Sequence, residues 1–276
     1  MLDALDTPYL QRALLAGLLI AVPLGLLGCW VVLRGLAFYA HAVGVATFPG
    51  TVVGVALPVL GPFAGALLAA VGFSLAVSAA ERDHRVRGGA VTGLALAVAL
   101  AVGALLLTLA GAGVAPVEGV LFGSLLAVSN LDVLACAAVG AIGLAATARL
   151  LPRLAATTFD EEWAARTGAG DRVAGVLLLG LVALVVVSAL PAVGSLLVSA
   201  LLVVPAATAR LLTERLESML WWAVGLCSLE VVGGLVAARA LDVPPGAAVA
   251  AVAGAGFALA TAGSAAVGFG RRPRPA

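Results

Sequence analysis

The sequence predicts an all-α protein, a polytopic bundle of about nine transmembrane helices with no sizeable soluble domain. Three observations carry that expectation. Hydrophobic residues make up 63% of the 276-residue chain and charged residues only 11%, with a mean hydropathy of +1.19; a soluble domain carries about 25% charged residues. Apolar runs of about 20 residues, the length that crosses bilayer hydrocarbon, recur along the whole chain. The arginines between those runs fall mostly in alternate links, as the preference of basic residues for the cytoplasmic side demands.

The runs lie near 11–33, 36–57, 60–80, 88–110, 131–151, 173–190, 193–212, 219–239 and 246–268. Residues 120–128 are too few to cross and read as a half-helix or interfacial segment leading into the fifth span. One set of alternate links holds Arg34, Arg82, Arg85, Arg87, Arg149, Arg153, Arg166, Arg172, Arg210, Arg215, Arg271, Arg272 and Arg274, and the other only Arg12 and Arg239. The larger set is expected in the cytoplasm, which puts the N-terminus outside and the C-terminal tail inside. Residues 1–276 then form a single multi-pass domain of the cell (inner) membrane. The start of the chain carries Asp3 and Asp6 and no basic stretch, so the first run is expected to be kept as a span.

Composition also excludes several classes. Every basic residue is Arg, and a phosphate-binding loop of the G-x-x-x-x-G-K-[ST] type needs its Lys. Any ATP hydrolysis must therefore lie on another chain, and no cofactor is expected on this one. A net charge of +1 gives no basic field for nucleic acid. Cys29, Cys136 and Cys227 sit in apolar runs without a C-x-x-C pair and read as small buried hydrophobes. The 34 glycines, with many Ala and Ser, let helices approach closely in lipid. Pro23, Pro49 and Pro205 lie within spans, where each removes a backbone hydrogen bond and favours a kink.

Two ionisable residues stand inside spans, His41 and Glu230. Inserting an acid at mid-membrane costs roughly 2.5–3.5 kcal/mol, so Glu230 is expected to face the bundle interior or a hydrated path, or to be hydrogen-bonded to a neighbouring helix. His84 falls in a charged link and reads as solvated.

The link from 152 to 172 is the most distinctive. It predicts a helix of about two turns over 158–168, with Thr158 as N-cap and Glu161 completing a capping box. Asp160, Glu161 and Glu162 occupy its first turn, where the helix dipole favours acids. Arg166 comes near its end and Gly168 stops it. Phe159 and Trp163 fall on one face at i, i+4. That aromatic face suits either a docking partner or lipid headgroups.

Six segments in order resemble the permease subunits of ATP-binding-cassette importers for divalent metal ions, the zinc/manganese permease family. They are 27–34 (LGCWVVLR), 38–50 (FYAHAVGVATFPG), 118–132 (EGVLFGSLLAVSNLD), 159–168 (FDEEWAARTG), 192–212 and 242–246 (DVPPG). The resemblance covers nearly the whole chain. It implies an importer-permease bundle with a central path between two permease subunits, expected to be a homodimer. It also implies a partner ATPase that binds ATP, an extracytoplasmic solute-binding protein, and a transported divalent metal ion, zinc or manganese. Residues 158–168 would be the coupling helix. The family carries Gly-Asp, then Ser-His four residues after that Asp, ahead of Pro-Gly. Here Ala40-His41 and Gly44-Val45 stand at those places. His41 thus replaces the acid, and with Glu230 it makes the candidate metal-handling pair, at successive depths. The alternative is a secondary transporter or channel driven by an ion gradient, for which His41 and Glu230 are the only titratable relays within the spans. An intramembrane hydrolase finds no H-E-x-x-H motif.

Overall fold

A computed structural model describes residues 8–57, 59–80, 89–110, 130–160, 164, 166 and 172–270. Its helices are α1 (Pro8–Leu33), α2 (Ala37–Ala46), α3 (Phe48–Ala56), α4 (Pro62–Ala80), α5 (Gly89–Leu109), α6 (Asn130–Phe159), α7 (Arg172–Val193), α8 (Ser195–Leu212), α9 (Leu216–Leu241) and α10 (Pro245–Gly270). Together α2 and α3 make one span. Among the described residues eight spans are long and apolar enough to cross, and α8 adds a shorter apolar helix. The all-α bundle of about nine spans is therefore what the sequence predicted. The segment 120–128 lies outside the described residues.

Helix α1 is the centre. It packs against α6, α7, α8 and α9 and buries Leu24, Leu27 and Trp30 completely. Helix α7 is also mostly inside, whereas α5, α6 and α10 turn most of their surface outward. In lipid the apolar exterior carries no penalty, so close packing has to hold the bundle together. The α3–α4 pair shows how close. A Cβ placed on Gly50 would strike the Gly65 carbonyl oxygen, and one on Gly65 would strike that of Gly50. The Tyr39 hydroxyl ties α2 to α4 and α7, meeting Ser74 Oγ at 2.6 Å and the Leu179 carbonyl at 3.0 Å.

The end of α1 is fixed by a Schellman motif. Gly35 turns left-handed at φ +68°, its N–H reaches the Val32 carbonyl at 3.3 Å, and the Leu36 N–H reaches that of Val31 at 2.8 Å. The chain therefore passes into α2 without a flexible loop. The link expected at 191–192 is a single residue, Gly194, at φ +80°. A side chain rarely takes that conformation, which is why the turn falls on the glycine rather than on Pro191.

At Pro49 and Pro205 other groups stand where the lost backbone bonds would be. Pro49 has no N–H for the Val45 carbonyl; the break between α2 and α3 falls at Thr47, whose own N–H turns back to that carbonyl. The Thr47 hydroxyl donates to the Gly44 carbonyl at 2.7 Å. Pro205 leaves the Leu201 carbonyl without its helical donor, and Cys227 Sγ stands 3.5 Å from that oxygen. Irregular backbone at membrane depth persists only with such replacements.

Candidate functional site

His41 lies on the least buried face of α2, one turn before Val45. Its Nδ1 is 3.1 Å from Ser199 Oγ on α8. That bond fixes one ring nitrogen and the ring plane, and Nε2 takes no part in it. Thr47 and Thr51 both bond back to helix carbonyls, and the ionisable side chains of the broken span are Tyr39, bonded to Ser74 and Leu179, and His41.

Glu230 is 5% exposed on α9, which packs against α1, α8 and α10. Its Oε2 is buried and has no hydrogen-bond partner among the described residues. Cys227 lies one helical turn earlier on the same helix. No hydrogen bond or ion pair joins His41 to Glu230. The helices that carry them, α2 and α9, both pack against α8, where Ser199 meets His41 and the Leu201 carbonyl meets Cys227. Among the described residues no cluster of three or more His, Cys, Asp or Glu side chains forms a ready metal site.

Sequence reasoning missed Ser199 and Cys227. Their roles depend on partners 158 and 26 residues away, and only the proline at 205 hinted that a carbonyl near it would need a donor.

The segment proposed to couple begins differently from its sequence pattern. Helix α6 runs through Pro152 to Phe159, so Thr158 is inside its last turn and is not the N-cap of a separate helix. The Thr158 hydroxyl donates to the Leu154 carbonyl and accepts from Arg34 Nε at 2.9 Å, which leaves it unable to serve a capping box. The chain continues with Asp160, whose N–H bonds the Ala156 carbonyl at 3.0 Å and whose own carbonyl accepts from the Ala164 N–H at 3.0 Å. Phe159 is 64% exposed, Ala164 is fully buried and Arg166 is exposed. Glu161, Glu162, Trp163 and Gly168 lie outside the described residues.

The bundle is built almost entirely of membrane-crossing helices packed round α1, with one span broken at Thr47, the architecture of a polytopic membrane protein. The chain belongs to the ABC 3 transport family, whose model matches residues 6–264. It is 35% identical to the manganese transport system membrane protein MntC of Halalkalibacterium halodurans over 257 residues, 93% of this chain and 87% of the relative. It is 29% identical to the manganese import system permease protein ScaB of Streptococcus parasanguinis, covering 86% of this chain and 84% of that one. Among solved structures it is similar to PsaBC from Streptococcus pneumoniae in complex with Fab, at a TM-score of 0.83 and 28% identity, covering 94% of this chain and 93% of that chain. The chain is thus a multi-pass membrane transport component, not an enzyme, and ATP hydrolysis falls to a separate chain.

Proposed function

We propose that this chain is the permease subunit of an ATP-driven importer for divalent transition-metal ions, manganese before zinc. The observation that carries the reading is the similarity to manganese permeases along nearly the full length of both chains. Two copies of the chain, set in lipid, enclose the path. A partner ATPase supplies the energy from the cytoplasmic side, and an extracytoplasmic solute-binding protein delivers the ion. The N-terminus lies outside and the C-terminal tail inside.

Within that path His41 and Glu230 handle the ion at successive depths. Imidazole nitrogen suits zinc and other transition metals, and carboxylate oxygen suits manganese. A transport site must also release its ion, so one protein ligand at each depth, completed by water, is adequate where a structural zinc site takes four. The Ser199 contact holds the His41 ring so that Nε2 is the nitrogen an ion would meet. The unpartnered Glu230 Oε2 supplies a buried carboxyl oxygen as a ligand in a span otherwise poor in charge. Residues 158–168, with Phe159 and Trp163 as apolar contacts and Asp160, Glu161, Glu162, Arg166 and Gly168 shaping the segment, form the coupling surface for the ATPase.

The test is manganese and zinc uptake by the permease reconstituted with its ATPase and solute-binding protein. Glu230→Gln keeps the shape and removes the charge; His41→Asn removes the imidazole. Each is expected to lower uptake at least about tenfold, the scale of losing a ligand interaction of about 1.4 kcal/mol in the rate-limiting state. A variant that inserts, couples to the ATPase and takes up metal at the parental rate marks its residue as structural. Uptake that persists without the ATPase would return the chain to the gradient-driven class.

A further inference from the structure

Arg34, at the C-cap of α1, donates three side-chain hydrogen bonds to α6. Its Nε donates to Thr158 Oγ1 at 2.9 Å, and its Nη2 donates to Thr157 Oγ1 at 2.6 Å and to the Leu154 carbonyl at 3.3 Å. The threonine protons are engaged elsewhere. Thr157 donates to the Arg153 carbonyl at 2.7 Å, and Thr158 donates to the Leu154 carbonyl. Both hydroxyl oxygens therefore turn lone pairs toward the guanidinium. The C-terminal end of a helix also carries the negative end of its dipole. A planar fork of N–H groups fits that set of acceptors, whereas an ammonium is a point charge that cannot match it.

An arginine at the end of a span ordinarily extends its charge toward water and headgroups. This one is half-buried and turned onto a neighbouring helix. Its position on the backbone is equally specific. It stands at the C-cap of α1, immediately before the left-handed Gly35 and the Leu36 N–H bond to Val31. Leu36 is the N-cap of α2, and His41 sits in the second turn of that helix. On the other side of the contact, Phe159 follows Thr158 directly in the chain. One side chain thus joins the start of the docking segment to the rigid turn that leads into the histidine-bearing span.

We propose that Arg34 is the positioning residue that couples the docking segment to the path. It holds the α1–α2 turn to the last turn of α6, so that a displacement of residues 158–168 by the ATPase reaches α2 and His41. Such coupling travels through packed elements and hydrogen-bond networks that link two sites. The proposal rests on the importer reading above and adds to it a residue outside the proposed ion-handling pair and the proposed docking segment.

The test uses the full complex of permease, ATPase and solute-binding protein in liposomes. Arg34→Lys keeps the positive charge that orients the span but loses the fork. Thr157→Val removes the shortest of the three bonds with little change of shape. Three quantities are measured: co-purification of the ATPase with the permease, ATP hydrolysis, and metal taken up per ATP hydrolysed. The expected result in both variants is parental co-purification and hydrolysis, with metal per ATP reduced at least about fivefold, the lower end of common coupling between sites. Parental metal per ATP in Thr157→Val, or in Arg34→Lys, overturns the proposal. So does loss of ATPase co-purification, because the contact then shapes the docking surface and transmits nothing. If Arg34→Lys fails to insert, Thr157→Val decides alone. A parental complex that shows no ATP-dependent uptake would instead sink the importer reading, and that control is read before either variant.

Discussion

Gly50 and Gly65 each face the carbonyl oxygen of the other across the α3–α4 contact, and a built Cβ on either would overlap that oxygen. Both obstacles are backbone, so neither can step aside by changing a rotamer. Gly72, in the middle of α4, has open space around the same hypothetical atom. Gly50→Val should therefore lower stability by about 1–3 kcal/mol, the usual scale of overpacking, while Gly72→Ala stays within about 0.5 kcal/mol of the parent. Thermal loss of the monodisperse peak in detergent measures both, and equal midpoints for the two variants would refute the close-approach account. At this scale the sequence was only partly legible. Its 34 glycines announced that helices approach closely, but not which ones do, because that depends on which faces meet. Glu230 and His41 stood out because a charge inside an apolar run is costly wherever the helix lies. Ser199 and Cys227 did not stand out, since hydroxyls and thiols are common in such spans and acquire a role only from the neighbour they meet.

Helices α2 and α6 illustrate what decides an element's ends. The break in the second span was readable because Pro49 removes a backbone donor by its own chemistry, and the repair by Thr47 lies within three residues of it. The end of α6 was not readable. Pro152 and the polar residues after it suggested that the span stops near 151, with a new helix capped by Thr158. The helix instead continues to Phe159, and its last turn is held by Arg34 from 120 and more residues away in sequence. Long-range bonds to the Thr157 and Thr158 hydroxyls and to the Leu154 carbonyl support a turn that local propensity leaves open. The same extension delivers an exposed Phe159 at the helix end. Burying two aromatic side chains supplies most of the energy in small interfaces. Replacing Phe159 and Trp163 together with Ala is expected to leave membrane insertion intact and to abolish ATPase association in pull-down. Unchanged association with unchanged transport would assign the aromatics to lipid headgroups.

At the scale of the whole molecule, the arginine distribution and the packing bear on one question, which end of each span faces the cytoplasm. The links that hold Arg34 and Arg149 to Arg172 were assigned to the same side from charge alone. In the fold the Arg34 side chain reaches the C-terminal turn of α6, a contact that placement of the two links on the same side permits and that placement on opposite sides would forbid. On the proposed orientation the same alternation predicts the α8–α9 turn in the cytoplasm and the α9–α10 turn outside, with α9 crossing between them. Glu214 is exposed in the first of these turns and Val243 is exposed in the second. The native cysteines are all free and buried, so new cysteines at these two sites stand against a low background. In intact cells or right-side-out vesicles, an impermeant maleimide is expected to modify Val243→Cys directly and Glu214→Cys only after permeabilisation. The sign of the result fixes the orientation: the reverse pattern would invert the molecule and place the docking segment outside, away from any ATPase. Labelling of both sites from one side would mean that α9 does not cross, and the nine-span arrangement with a cytoplasmic C-terminal tail would fall with it.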